Sequence, residues 1–425
     1  MSINVVTLGC AKNVVDSEKI MGNIPAETFD IVHNSTKFTD IVLVNTCGFI
    51  NDAKQQSIDT LLYYVEAKNR HKVKKVFATG CLAQRYKADL LNEIPELDGI
   101  YGFAEIPMLL KNFTKSNVDI TANRIITTPC HYAYLKIAEG CDRTCSFCAI
   151  PFIRGKNVSI PIEKVLEEAQ MLADKGVKEL IVVAQDTTYY GLDLYKKRML
   201  ARLLEKLSDI KQFQWIRLHY AFPSGFPEDV LDIIQSRGNI CKYLDIPLQH
   251  INDSILESMH RGIDSKGTRE LLRKIQNKIP GIHLRTAFIV GYPGETAAQF
   301  KELFNFVKEQ RFERLGVFSF SSEEGTAAAA IKPQIRESTK TVRMNKLMEL
   351  QQQISFSLNQ AMIGKTLKVL VDRKENDFYI ARTEFDSPEI DNEVLIPANK
   401  KLIISNFYQV RIYQAEQYDL YAYTI

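Results

Sequence analysis

The sequence predicts an α/β protein in three parts: an N-terminal open parallel α/β sheet, a central partial (β/α)6 barrel and a small C-terminal antiparallel β-barrel. Three observations carry this. Short runs of β-branched residues alternate with amphipathic helical stretches through the first three quarters of the chain. Six strand–helix units fall in about 200 residues of the middle region, too few for an eight-fold barrel and enough for an incomplete one. After Gly364 the apolar period drops to two.

Residues 1–125 hold expected strands at 3–7, 41–45 and 76–78, with a helix over 53–66 between the last two. The barrel, 131–335, takes its strands at 132–137, 180–184, 215–219, 243–246, 284–290 and 316–320. A helix over 162–175 carries Ile162, Val165, Leu166, Ala169 and Leu172 on one face, and Gly176 stops it. A Gln-rich linker helix, 336–363, places Leu347, Leu350, Ile354 and Leu358 at helical spacing. In 364–425 the strands are expected at 366–371, 378–382, 393–396, 408–414 and 418–424, a number and length that suit a small closed barrel.

Composition narrows the function classes. A net charge of +3 over 425 residues gives no general reason for tight binding to a nucleic-acid backbone. No apolar run approaches the ~20 residues needed to cross a bilayer. The first ten residues, ending at Cys10, superficially resemble a lipoprotein box, but without a basic leader they read as a strand. A cytoplasmic protein with no membrane partner is expected. Eight cysteines in that compartment suit metal ligation, catalysis or buried thiols better than disulfides.

The segment Glu139-Gly-Cys141-Asp-Arg-Thr-Cys145-Ser-Phe-Cys148 places three thiols within eight residues, directly after a strand. A loop this tight can wrap three thiolates around one face of a 4Fe–4S cube and leave the fourth iron open to a small-molecule ligand. Gly140 gives the backbone freedom to curl. A zinc knuckle would want a fourth nearby Cys or His, and none follows closely. Cys10, Cys47 and Cys81 each follow an apolar run, at the carboxyl end of an expected strand. In an open parallel sheet those ends share one edge, so three thiols far apart in sequence converge there. Buried packing cysteines are the plain alternative. The favoured reading is a second three-thiolate cluster with an open iron.

The Cys-x3-Cys-x2-Cys loop on a six-unit barrel resembles the radical S-adenosylmethionine superfamily. Two such trios with a terminal TRAM-like barrel resemble its methylthiotransferase family over essentially the whole chain. That resemblance implies two 4Fe–4S clusters, one on Cys141, Cys145 and Cys148 and an auxiliary one on Cys10, Cys47 and Cys81. It also implies S-adenosylmethionine as both methyl donor and radical source, and a one-electron donor of the flavodoxin or ferredoxin type. Leu8-Gly-Cys-Ala-Lys-Asn13 with Asp16-Ser-Glu18, Tyr132-Ala-Tyr-Leu-Lys-Ile137, Ala184-Gln-Asp-Thr-Thr188 and Phe320-Ser-Ser-Glu-Glu-Gly-Thr326 resemble the branch acting on an aspartate of small-subunit ribosomal protein twelve. The transfer-RNA adenosine branch typically has Gln-Met-Asn after the first cysteine. A non-catalytic electron carrier would usually complete its clusters with four cysteines.

Other residues carry open readings. Gln185 and Asp186 follow the second barrel strand, and Gln249 and His250 the fourth, so each contacts cofactor or substrate at the mouth or simply caps a loop. Arg285 either pairs with the cofactor carboxylate or forms a structural ion pair. Phe147 either lies against the adenine or closes the cluster from water. Cys130 and Cys241 fit neither trio and read as ordinary thiols. From Lys365 onward, eight Lys+Arg stand against ten Asp+Glu. The run Glu384, Asp386, Glu389, Asp391 and Glu393 holds candidate contacts for docking a basic protein by charge, or is simply a solvated loop.

Overall fold

Five strands, β1 (Ser2–Thr7), β2 (Asp30–His33), β3 (Ile41–Thr46), β4 (Lys75–Thr79) and β5 (Gly99–Tyr101), pair in parallel in the order β2-β1-β3-β4-β5. The computed structural model describes residues 1–114 and 123–425; residues 115–122, in the tail of the first expected part, lie outside. β3 is buried throughout, which explains its unbroken apolar run. β2 and β5 have no clear signal in the sequence because they are short edge strands that bury little. Helices α1 (Ala11–Gly22), α2 (Asn51–Asn69) and α3 (Gly80–Arg85) follow β1, β3 and β4. The order of connection reverses between β1 and β3, and such a switch point opens a crevice at the strand carboxyl ends.

The middle of the chain forms the open barrel. Its first strand is β6 (Tyr132–Lys136), followed by a two-stranded pair, β7 (Ala138–Glu139) and β8 (Val158–Ser159), which brackets the cysteine loop. Then come β9 (Glu179–Val183), β10 (Trp215–Leu218), β11 (Ile240–Asp245), β12 (His283–Val290) and β13 (Arg314–Ser319). They make one sheet in the order β13-β12-β11-β10-β9-β6, with parallel pairing throughout and β6 and β13 left as edges. The helix Ile162–Asp174 buries Ile162, Val165, Ala169 and Leu172 against this sheet, as its spacing predicts. The helix Glu337–Gln360 sets Leu347 and Ile354 into the same core.

The lumen side of the sheet is lined separately. On β6 and β9, Tyr132, Tyr134, Ile181 and Val183 face away from the helices and pack with Val15, Val14 and Ala11 of α1. The first part of the chain therefore lies across the open side of the barrel.

The terminal strands β14 (Thr366–Glu375), β15 (Phe378–Thr383), β16 (Glu393–Pro397), β17 (Phe407–Ala415) and β18 (Asp419–Thr424) close into a barrel in the order β14-β15-β16-β18-β17. This barrel seals the amino end of the central one. Arg217 and Arg382 share the two oxygens of Glu179, each at 2.8 Å, and Asp372 takes Arg382 and His131.

Most of the acidic run is internal, in place of the exposed docking face expected of it. Asp386 Oδ1 accepts from Arg314 Nε at 3.0 Å and Nη2 at 2.5 Å. Asp391 accepts from Arg285 Nη1 at 2.5 Å and Tyr243 OH at 2.9 Å. Glu384 accepts from the Lys242 N–H and, at its carbonyl, from Arg217. Glu393 pairs with Arg373, and Glu389 alone of the five is exposed. Local composition reads a charged loop as solvated, but these partners lie mostly 70 to 170 residues away in sequence. Among the described residues no helix is long and apolar enough to cross a membrane.

Candidate functional site

The loop between β7 and the short helix Ile150–Arg154 carries the compact cysteine trio. Gly140 opens it at φ 74°, and a Cβ there would sit 2.0 Å from the Lys156 carbonyl oxygen, so only glycine permits the curl. Cys141 N–H donates to the Gly155 carbonyl, and Cys148 N–H to that of Cys145, which folds the thiols toward one face. Donors already approach the sulfurs: Arg143 N–H lies 3.4 Å from Cys141 Sγ and Arg261 Nη1 3.3 Å from Cys145 Sγ. Burial pushes the Cys141 thiol up to about 11 and Cys148 up to about 12. A metal that takes the thiolate removes that cost, because a coordinated thiol is deprotonated outright.

Asp186, at the end of the second barrel strand, orients this loop by accepting from Arg143 Nε at 2.8 Å. Arg143 and Arg261 flank the Phe222 ring at 4.0 and 4.1 Å. Phe147 packs against the apolar cluster of Ile255, Met259, Tyr292 and Phe320.

Cys10 caps α1, Cys47 follows β3 and Cys81 lies in α3 just after β4, all at the switch-point edge. They converge. A Cβ on Gly9 would stand 3.0 Å from Cys47 Sγ. Asn13 binds the carbonyls of Leu8 and Thr46 and meets Cys81 Sγ at 3.7 Å. Arg154 Nη2 reaches the same sulfur at 3.6 Å. Burial pushes Cys47 up, and Cys81 up to about 11. Burial acts the same way on Cys10, but the charges of Lys12 and Arg154 and nearby backbone N–H groups hold that thiol below its ordinary value. Among the described residues no three His, Cys, Asp or Glu side chains close around one point as a single ion requires. Thiolates on separate corners of a four-iron cube need no such convergence.

An ion network joins the two trios, and its key member was not singled out from sequence. Arg154 Nη1 donates to Asp16 Oδ2 at 3.0 Å and Glu139 Oε1 at 2.8 Å, while Lys136 binds Glu139 and Asp16. Glu139 also takes Gln185 Nε2 at 2.9 Å. Asp16 and Lys136 fall within motifs quoted above; Arg154 follows the cysteine loop with no distinctive spacing.

The mouth holds polar atoms without partners. Gln185 Oε1 and Gln249 Oε1 are buried and unbonded, and Gln249 sits at φ 73°, a left-handed conformation rare for its type. Asn252 N–H donates to His250 Nδ1, so Nε2 carries the proton and faces Glu295 Oε1 at 3.9 Å, beyond hydrogen-bond distance. Buried polar atoms without partners are costly until a polar ligand or a shift in geometry satisfies them. Arg285 is held in an ion pair by Asp391 near the barrel floor. Cys241 is buried near Arg217, and Cys130 is exposed.

A three-thiol loop at the carboxyl end of the first strand of a partial parallel barrel defines a radical S-adenosylmethionine enzyme. The Radical SAM superfamily model matches residues 135–307, Uncharacterized protein family UPF0004 matches 2–102 and the TRAM domain matches 363–425. Proteins named ribosomal protein uS12 methylthiotransferase RimO are similar over 99% of this chain: from Christiangramia forsetii at 52% identity (93% of that protein), Flavobacterium johnsoniae at 51% (97%) and Bacteroides fragilis at 48% (98%). The radical S-adenosylmethionine methyltransferase TsrM from Kitasatospora setae shares the fold, with TM-score 0.55 and 13% identity over 77% of this chain and 73% of that one. This chain belongs to the uS12 methylthiotransferase family of radical S-adenosylmethionine enzymes.

Proposed function

We propose that this protein methylthiolates the β-carbon of an aspartate in ribosomal protein uS12. Cys141, Cys145 and Cys148 hold the radical-generating 4Fe–4S cluster in this reading, and Cys10, Cys47 and Cys81 hold the auxiliary one. The observation that carries it is the placement of two three-thiol sites on one lumen, linked through Arg154. The names of the full-length relatives support the substrate. When bound, S-adenosylmethionine and the clusters supply hydrogen abstraction and a methylated sulfur.

The protein's own groups position and protect this chemistry. Arg261 and the Arg143 N–H stabilise thiolate charge at Cys145 and Cys141. Gln185 and Gln249 offer their free carbonyl oxygens to cofactor donors. Phe147 and its apolar neighbours exclude water from one side. Arg154 and Lys136 hold Glu139 ionised, through charge that outweighs its burial, so it orients Gln185 as an acceptor. The electron comes from outside, from a flavodoxin- or ferredoxin-type donor in the cytoplasm.

Mass spectrometry of uS12 and of transfer-RNA nucleosides, from cells with and without the gene, tests this. Methylthiolation missing from uS12 alone is the expected result. Its loss from transfer-RNA adenosines would replace the substrate.

A further inference from the structure

Buried cations in this fold meet carboxylates. Arg124, Lys136, Arg154, Arg217, Arg314 and Arg382 each do so at 3.0 Å or less. Arg261 does not, but it binds a cluster-loop sulfur and the Pro247 carbonyl. Lys12 is different. It is 9% exposed, two residues after Cys10, and its ammonium lies 3.5 Å from the centroid of the Tyr220 ring. Among the described residues no carboxylate lies within ion-pair distance of it.

The Tyr220 ring and hydroxyl and the nearby Cys10 thiol are the groups this buried ammonium faces. A ring contact offsets only part of the cost of burying an ion. The ammonium has three donors, and the Tyr220 hydroxyl takes only one of them. The surrounding backbone is built to hold this arrangement. Tyr220 sits at φ 58°, a left-handed conformation unfavourable for an aromatic residue, and its N–H donates to Asp245 Oδ2 at 3.1 Å. Ala11 and Val14 of α1 pack with Tyr220, Tyr134, Ile181 and Val183, which puts Lys12 on the lumen, between the auxiliary trio and the barrel wall.

We propose that Lys12 binds the side-chain carboxylate of the target aspartate and so selects an acidic side chain as substrate. The inference rests on the uS12 reading above and deepens it. The β-carbon is one bond from the carboxylate carbon, so an anchor beside Cys10 holds the reacting carbon next to the auxiliary trio. It also leaves that carbon's other side open to the barrel trio. The competing role for Lys12 is to balance charge at the Cys10 thiolate, and the two roles separate experimentally.

The test uses full-length enzyme reconstituted anaerobically, with uS12 carrying either Asp or Asn at the target position. Wild type and the variants Lys12→Met and Lys12→Arg are compared for methylthiolated product, iron content and the electron paramagnetic resonance of the reduced clusters. Losing a charged hydrogen-bond partner predicts about 100-fold lower kcat/KM on the Asp substrate for Lys12→Met. The Asp-to-Asn preference then collapses toward one, Lys12→Arg recovers part of it, and iron and spectra match wild type. Unchanged preference in Lys12→Met overturns the assignment. So does loss of iron or an altered auxiliary spectrum, which gives Lys12 to the cluster. Failure of wild type to modify either substrate overturns the uS12 reading itself.

Discussion

The two ends of the central barrel use the same kinds of side chain and differ in how these are partnered. At the floor, Glu179, Arg217, Arg314, Arg382, Asp386 and Asp391 form closed ion pairs with the terminal barrel. At the mouth, Gln185 and Gln249 keep free acceptors, Lys12 lacks an anion, and Tyr220 and Gln249 hold left-handed backbones. Paired buried charge fixes geometry, while unpaired buried polarity and local strain mark where a ligand completes the structure. The floor is architecture and the mouth is chemistry.

The sharpest way to break this contrast is to empty each trio. Alanine at Cys141, Cys145 and Cys148 should abolish 5′-deoxyadenosine formation and halve the bound iron. Alanine at Cys10, Cys47 and Cys81 should also halve the iron, yet leave reductive cofactor cleavage running without methylthiolated product. Loss of cleavage in the second variant, with its barrel cluster intact, would unite the two sites functionally.

The floor should respond in stability rather than chemistry. Asp386→Ala strands the buried Arg314 guanidinium and should cost about 3–5 kcal/mol. Trp215, the one tryptophan of the chain, lies 4.8 Å from Phe407 of the terminal barrel and reports this unfolding by fluorescence in urea. An unchanged midpoint would show that the floor pairing is dispensable.

Asp245 lies between the two ends and gives a pH signature. Burial raises its carboxyl to about 6, against the opposing charge of Arg285. The folded protein then binds the proton more tightly than the unfolded chain, so ionising Asp245 removes stability as pH rises from about 4 to 6. Asp245→Asn should therefore stabilise by up to about 3 kcal/mol above pH 6, with the gain fading below pH 4. Thermal melts across that range check it; a gain independent of pH would assign the effect to packing. The smallest effect belongs to Glu389→Gln, since that side chain is exposed and touches only Tyr132 OH at 3.2 Å. A change under about 0.5 kcal/mol is expected.

The same contrast explains what the sequence could reveal. The barrel trio is legible because its thiols are local, and the other trio because each cysteine ends an apolar run. The ion pairs of Arg285 and of the acidic run escape a local reading because their partners, Asp391 and Arg314 among them, are distant in sequence and only the fold brings them together. Lys12 sits inside a motif legible in the sequence, yet its lack of a carboxylate partner becomes visible only when the ion pairs of the other buried cations are seen.

The terminal barrel's plug also makes the lumen a cul-de-sac. A polypeptide cannot thread through it, so the part of a substrate that reaches the two trios must be a protruding tip that backs out the way it came. Modified and unmodified tips would then compete for one doorway.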